Sequence, residues 1–96
     1  MELTVLTYTY VEDVSSRRTP YRDAHLALAD RFMEREELLI VGAIGAPPYG
    51  ALLVFTSRAA AEEFADADPY GEAGLITERR VDPWNVVRHA PLPDSS

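Results

Sequence analysis

The sequence predicts an α+β domain of the ferredoxin-like class, in which a four-stranded antiparallel sheet carries two helices on one face. Segments of strand-like composition alternate with two longer segments of helical periodicity, in the order strand, helix, strand, strand, helix, strand. Proline, glycine and short polar runs separate these segments, as they commonly separate secondary-structure elements. A chain of 96 residues is long enough for one such domain with a modest core.

The first half of the chain supplies a strand and a helix. Residues 3–11 are rich in β-branched and aromatic side chains, which favour a strand. A polar loop is expected at 12–18. Thr19 before Pro20 is then typical of a helix start, with Thr as the N-cap and Pro in the first turn. The sequence therefore predicts a helix over 20–36.

The second half adds three strands and a helix. The predicted bounds are 38–44 and 51–55 for two strands, 58–67 for the helix and 75–81 for the last strand. Thr56 or Ser57 supplies the N-cap of this helix, and Pro69 ends it because proline disfavours helical conformation in the preceding residue. A short connection is expected at 70–74. Pro83 interrupts the last strand, as in an edge strand, and a short continuation follows at 84–87.

The second and third strands are apolar on both faces, through Leu39, Ile40 and Val41 and through Leu52, Leu53, Val54 and Phe55. Such strands need both faces covered. Two helices cover only one face, so we expect the other face to meet a second copy of the chain. The expected assembly is a homodimer in which two sheets form an α+β barrel. Residues 1–89 are assigned to the domain and 90–96 to a disordered tail.

Composition narrows the range of partners. The net charge is −7, and the nine basic residues are all arginine. This balance repels phosphate backbones and anionic membranes, so we expect neither nucleic-acid nor membrane binding. No apolar run approaches the ~20 residues of a membrane span, and no signal peptide is expected. The chain has no cysteine, which excludes disulfides and thiolate chemistry and fits a cytoplasmic location.

Two polar residues occupy unexpected positions. His25 lies on the apolar stripe of the first predicted helix, and Asp68 lies with Asp66 at the end of the second. The negative end of a helix disfavours carboxylates, and no basic residue is near these two in sequence. We therefore predict that His25 and Asp68 meet, with His25 as general acid/base and Asp68 as the partner that orients its ring.

Three further residues are candidates for substrate binding. Tyr70 and Tyr8 could donate hydrogen bonds or form an apolar wall, and Arg22, one turn before His25, could hold an anionic group. Structural roles are open for each candidate: His25 as a hydrogen-bonded core residue, Asp68 as a turn acceptor, both tyrosines in packing, and Arg22 in solvent. A metal site drawn from His25, Asp68 and Glu72 lacks ligand spacing, and the glycines form no phosphate-binding pattern. No metal or cofactor is therefore expected.

Several motifs together resemble those of the YCII (YciI-like) family, over about residues 3–88. They are Arg22-x-x-His25-Leu26, Gly42, Ser57-x-Ala59-Ala60-Ala61-Glu62-Glu63-Phe64, Asp66-Ala67-Asp68-Pro69-Tyr70, Gly74-Leu75 and Val81-x-Pro83-Trp84. The resemblance implies a dimeric α+β barrel with a His–Asp pair, which here is His25 and Asp68. It also implies cofactor-independent acid–base chemistry on small, often aromatic or halogenated molecules.

Two functional hypotheses follow. The first is a cytoplasmic, dimeric, cofactor-free enzyme that catalyses an elimination, isomerisation or hydrolysis by proton transfer. The second is a non-catalytic module, either a small-ligand-binding protein or an accessory subunit, since the fold hosts both. A solvent-open cleft in which both His25 and Asp68 are exposed favours the enzyme. A sealed His25 that bonds only to backbone favours the module.

Overall fold

The computed structural model describes residues 1–93, which contain four strands, four α-helices and one 3₁₀ turn. In chain order they are β1 (Glu2–Tyr10), α1 (Val14–Arg17), the 3₁₀ turn (Thr19–Tyr21), α2 (Arg22–Glu34), β2 (Leu38–Ile44), β3 (Gly50–Phe55), α3 (Arg58–Ala67), α4 (Pro69–Glu72) and β4 (Ile76–Asn85). No helix in this part of the chain combines the length and apolar character needed to cross a membrane.

The four strands form one antiparallel sheet in the order β2-β3-β1-β4. Leu6 at the centre of β1 lies opposite Leu53 of β3 and Val81 of β4. The prediction of an α+β, ferredoxin-like sheet with its helices on one face is confirmed. The two central strands, β1 and β3, carry the buried side chains that position the site.

The core lies between the sheet and the two long helices. Alternate residues of β1 and β3 point to this face, and the helices contribute Phe32 and Phe64. The Phe32 and Phe64 rings meet edge to face with centroids 5.2 Å apart, and both contact Phe55. Helix α3 begins as predicted at Ser57, whose Oγ accepts the Ala60 N–H at 3.1 Å.

The opposite face of the sheet is apolar and exposed in the single chain. Ile40, Leu52 and Trp84 each keep more than two-fifths of their surface in contact with solvent. Residues 90–92 lie beside this face, where they border a depression of about 360 Å³ with Leu39. Residues 90–93 have no regular secondary structure, and the rest of the predicted tail, 94–96, lies outside the described residues.

Four local expectations need correction. Helix α2 starts at Arg22 after a 3₁₀ turn, and Thr19 makes no side-chain cap. The predicted loop at 12–18 contains α1, which buries Val14 in the core. The predicted connection at 70–74 begins as the helical turn α4. Strand β4 is continuous through Pro83, which pairs with Thr4. Because β4 is an edge strand, the missing N–H of Pro83 is tolerated.

Candidate active site

Asp68 is placed by the junction of two helices. Pro69 keeps Asp68 in an extended conformation (φ −67°, ψ 120°), so α3 ends at Ala67. The same residue is the N-cap of α4, and its Oδ1 accepts the Tyr70 N–H at 3.0 Å. The expected conflict with the end of α3 is therefore offset, because a carboxylate is favoured where the next helix begins. Asp66 forms a salt bridge of 2.8 Å with Arg79, which lies 13 residues away in sequence and is brought close by the fold.

His25 and Asp68 are in direct contact. Nδ1 of His25 lies 2.9 Å from Oδ1 of Asp68, and the two residues are 6% and 1% exposed. Helix α2 presents His25 on its buried face, together with Leu28 and Phe32. The helical stripe in the sequence thus turns His25 toward the α3–α4 junction, 43 residues further along the chain.

Tyr8 completes the set of donors around the buried carboxylate. Its hydroxyl donates to Oδ2 of Asp68 at 2.9 Å, so this oxygen and Oδ1 together accept from Tyr8, His25 and the Tyr70 backbone. A buried carboxylate needs such partners to offset its lost hydration. Burial raises the pKa of the Tyr8 hydroxyl far above its ordinary value, and the Asp68 charge adds to the rise, so Tyr8 stays a donor.

The His25 ring is fixed by aromatic neighbours as well as by Asp68. It stacks on the Tyr70 ring with centroids 3.9 Å apart and an interplanar angle of 5°, and it meets Phe64 edge-on at 6.1 Å. Since an ionised carboxylate only accepts hydrogen bonds, the network assigns the proton of the neutral ring to Nδ1. Nε2 then carries the lone pair, and within residues 1–93 it has no hydrogen-bond partner and is not sealed from solvent.

His25 borders a cleft of about 350 Å³ between α2, α4 and the β2–β3 end of the sheet. The lining residues are Tyr10, Arg18, Arg22, His25, Leu26, Val41, Gly42, Ala43, Gly45, Pro48, Ala51, Leu53 and Tyr70. This lining contains two arginines and no carboxylate, although the chain as a whole carries a net charge of −7. The cleft therefore differs in charge from the rest of the molecule.

Two tyrosines of the cleft have raised pKa values. Burial, followed by the effects of Tyr70 and Asp68, raises the pKa of Tyr10 to about 12. Burial also raises the pKa of Tyr70, although the nearby Arg22 guanidinium, through its charge and as a potential donor, and the Arg18 charge oppose that rise. The Tyr70 hydroxyl is buried and has no partner in hydrogen-bonding geometry among residues 1–93. Both side chains therefore stay neutral donors near neutral pH.

The family model for the YCII-related domain matches residues 1–85. The chain belongs to the YCII-related family. The predicted family resemblance is thereby confirmed. A comparison of the sequence with the curated proteins found no match.

Several solved structures share the fold of this YCII-related domain. The 5-chloro-2-hydroxyhydroquinone dehydrochlorinase from Burkholderia phenoliruptrix, in complex with 2,5-dihydroxybenzoquinone, is 19% identical with a TM-score of 0.71, over 86% of this chain and 93% of that one. A candidate antibiotic biosynthesis monooxygenase from Nitrosomonas europaea is 11% identical with a TM-score of 0.59, over 92% and 100%. A NIPSNAP-family protein of unknown function from Agrobacterium tumefaciens is 16% identical with a TM-score of 0.58, over 97% and 94%.

The YCII-related domain brings most of the predicted site residues together. Arg22 and Tyr70 line the same cleft as His25. Neither Asp68 nor Tyr8 is among the residues that line this cleft, and the Tyr8 hydroxyl donates to the Asp68 carboxylate instead. No group of three or more potential ligands in residues 1–93 is arranged to hold a metal ion.

Sequence reasoning missed two residues of the cleft, Arg18 and Tyr10. Arg18 follows α1 and Arg22 begins α2, and a 3₁₀ turn connects the two arginines at the cleft. Tyr10 follows Tyr8 by two positions on β1, so both tyrosines point to the same face of the sheet. The spacing of the two tyrosines was present in the sequence, whereas the position of Arg18 was not, because residues 12–18 were predicted to form a loop. The sequence did not show the sheet register, which brings the end of β1 beside the start of α2.

Proposed function

We propose that this protein is a cofactor-independent enzyme that transfers a proton on a small molecule, with His25 as general acid/base and Asp68 as its orienting partner. One observation carries the proposal: Asp68 holds Nδ1 of His25 at 2.9 Å while the ring borders a solvent-open cleft. A general base needs a free lone pair within hydrogen-bond reach of the substrate, and Nε2 meets that need.

The surroundings of the pair support this role. Tyr8 and the Tyr70 backbone fix the Asp68 carboxylate, and the Tyr70 ring restrains the imidazole plane. In an elimination or isomerisation, Nε2 takes a proton from the substrate and returns it to a leaving group or to another atom. In a hydrolysis it takes the proton of an attacking water. Positioned proton transfer of this kind contributes about 10²–10⁴ in rate.

The size and lining of the cleft favour a single-ring substrate. Its volume of about 350 Å³ is at the lower end of the range of about 300–1,000 Å³ typical of ligand pockets. The similar fold of the dehydrochlorinase adds support, because that enzyme's name describes loss of hydrogen chloride from a chlorinated hydroquinone and its complex contains a quinone. We therefore propose a small aromatic molecule as the substrate class.

The proposed enzyme is a cytoplasmic homodimer. Ile40, Leu52 and Trp84 form an exposed apolar face on the sheet, which a second sheet of the same kind would cover. Exposed apolar faces of this kind are typical of subunit interfaces in symmetric oligomers. The cysteine-free sequence supports the cytoplasmic location.

The test is turnover with two histidine variants. Purified protein is incubated with 5-chloro-2-hydroxyhydroquinone and related ring compounds, while chloride release is measured and proton exchange is followed by NMR in deuterated water. His25→Gln should lower the rate by about 10²–10⁴ because it removes the base. His89→Gln is the matched control, since His89 is the other histidine and is not part of the cleft lining.

Full activity in His25→Gln would refute the role of His25. If a ring compound binds in the cleft and the wild-type protein neither converts it nor exchanges its protons, the alternative function holds. The protein is then a small-ligand-binding or accessory dimeric module.

A further inference from the structure

Two arginines of the cleft lack an ionic partner. Outside the cleft, a carboxylate in residues 1–93 pairs with each of Arg17, Arg35, Arg58, Arg79 and Arg80, whereas the exposed Arg31 and Arg88 form no such pair in this part of the chain. Arg18 and Arg22 form no such pair in this part of the chain, although acidic residues outnumber basic ones 16 to 9. Both line the cleft, and no Asp or Glu lines it with them.

A buried hydroxyl in the same cleft also has no hydrogen-bond partner in the described part of the chain. Tyr70 is 1% exposed, and no atom of residues 1–93 is in hydrogen-bonding geometry with its Oη; Arg22 is a nearby donor that falls short of that geometry. Buried polar atoms are nearly always hydrogen-bonded in folded proteins, so an orphaned one indicates a ligand or an ordered water. Arg18, Arg22 and Tyr70 all line this one cleft, and both arginine charges oppose the rise in the pKa of the Tyr70 hydroxyl that burial causes.

We infer that Arg18, Arg22 and the Tyr70 hydroxyl form a subsite for a negatively charged oxygen of the substrate, either a carboxylate or a phenolate. Guanidinium groups and a neutral hydroxyl are all donors, and charge-assisted hydrogen bonds to an oxyanion are the strongest class available to them. The inference deepens the proposed function, on which it rests for the identity of the substrate, by naming the acidic group.

The stacked rings connect this subsite to the proposed base. The His25 and Tyr70 rings are nearly parallel, with centroids 3.9 Å apart. An oxygen bound at the Tyr70 hydroxyl therefore leaves the rest of a small ring beside His25. The same arrangement anchors the substrate at its charge and presents its other atoms to Nε2.

The experiment is a calorimetric titration with pairs of ring compounds that differ in charge. Benzoate is compared with benzamide, and 4-nitrophenolate with 4-nitroaniline, at a pH where the two acids are ionised. We expect at least one anion to bind about tenfold or more tightly than its neutral counterpart. The anion that is preferred identifies the carboxylate or the phenolate as the natural group.

Four variants locate the subsite. Arg18→Gln and Arg22→Gln should each weaken anion binding about tenfold and leave the neutral compounds unchanged, because each removes one charged donor. Tyr70→Phe keeps the ring that stacks on His25 and should weaken the same anions several-fold. Arg31→Gln is the matched control: Arg31 is an exposed arginine of α2 outside the cleft lining, and its variant should bind as the wild type does.

The outcomes separate this inference from the proposed function. His25→Gln should still bind the anions, because His25 is not part of the subsite. Anion binding that depends on Arg18 and Arg22 in a protein without turnover would support the subsite and refute the enzyme. Equal affinity for charged and neutral compounds, no binding of either anion, or equal losses in Arg22→Gln and Arg31→Gln would overturn the subsite.

Discussion

Asp68 can be tested by comparing its removal with its neutralisation. Asp68→Ala leaves three donors without an acceptor: Nδ1 of His25, the Tyr8 hydroxyl and the Tyr70 N–H. An unsatisfied buried donor costs about 1–3 kcal/mol, so three of them should lower the free energy of unfolding by about 3–9 kcal/mol. For a domain of this size about 4–8 °C of melting temperature corresponds to 1 kcal/mol, so the midpoint should fall by about 12 °C or more.

Asp68→Asn should behave differently, because an amide retains most of the hydrogen bonds. Its oxygen can replace Oδ1 and accept from His25 and the Tyr70 N–H. Its NH₂ group can replace Oδ2, provided the Tyr8 hydroxyl rotates from donor to acceptor. We therefore expect a loss of about 1 kcal/mol or less in stability, close to the mean for one altered hydrogen bond. Activity should fall much more, because the charge behind His25 is gone.

The assay is urea unfolding followed by circular dichroism at fixed protein concentration, combined with the turnover assay on the same samples. Fixed concentration matters because dimerisation would shift the apparent stability. Equal destabilisation in Asp68→Ala and Asp68→Asn would refute the hydrogen-bond argument, since it would mean that the charge, and not the acceptor geometry, holds the junction. A stable and fully active Asp68→Asn would refute the orienting role.

Two further predictions concern alkaline pH and the exposed sheet face. The pKa of Tyr10 is raised to about 12 and those of Tyr8 and Tyr70 are also raised, so the unfolded chain loses these protons first. Stability should therefore be constant up to about pH 10 and fall as the pH rises toward 12, which urea unfolding at each pH measures. Tyrosinate absorbance of all five tyrosines at pH 10 without unfolding would contradict this. Leu52→Glu should convert the proposed dimer into a folded monomer in analytical ultracentrifugation, while Val87→Glu, at a more exposed apolar residue, should leave it dimeric. A monomeric wild type would contradict the dimer.

The order of elements could be predicted from the sequence because each long element has a clear apolar pattern. Two local predictions were wrong for a clear physical reason, those for α1 and for Pro83. Helix α1 has four residues and buries only Val14, too little for a periodic signal. Pro83 suggested a break, yet the edge position of β4 makes its missing N–H harmless, and that position depends on strand order.

The contact between His25 and Asp68 could be anticipated because each residue was unusual in its own helix and the family resemblance named the pair. The hydrogen bond from Tyr8 could not, because it joins residues 60 apart and depends on where β1 lies relative to the α3–α4 junction. For a similar reason the sequence did not show that no carboxylate of residues 1–93 pairs with Arg18 or Arg22. Acidic residues are abundant in the sequence, and only the fold shows which arginines they reach.

One carboxylate oxygen of Asp68, Oδ1, serves both the structural role of this residue and its proposed functional role. Oδ1 accepts the Tyr70 N–H, which starts α4, and it also accepts Nδ1 of His25. Helix α4, which has Asp68 as its N-cap, carries the Tyr70 ring on which the His25 imidazole stacks. The backbone of this junction therefore sets the position of the carboxylate, the plane of the imidazole and the wall of the cleft together. A substitution that moves the junction should impair all three at once, whereas Asp68→Asn should keep the junction while it removes the charge and reverses the hydrogen bond with Tyr8.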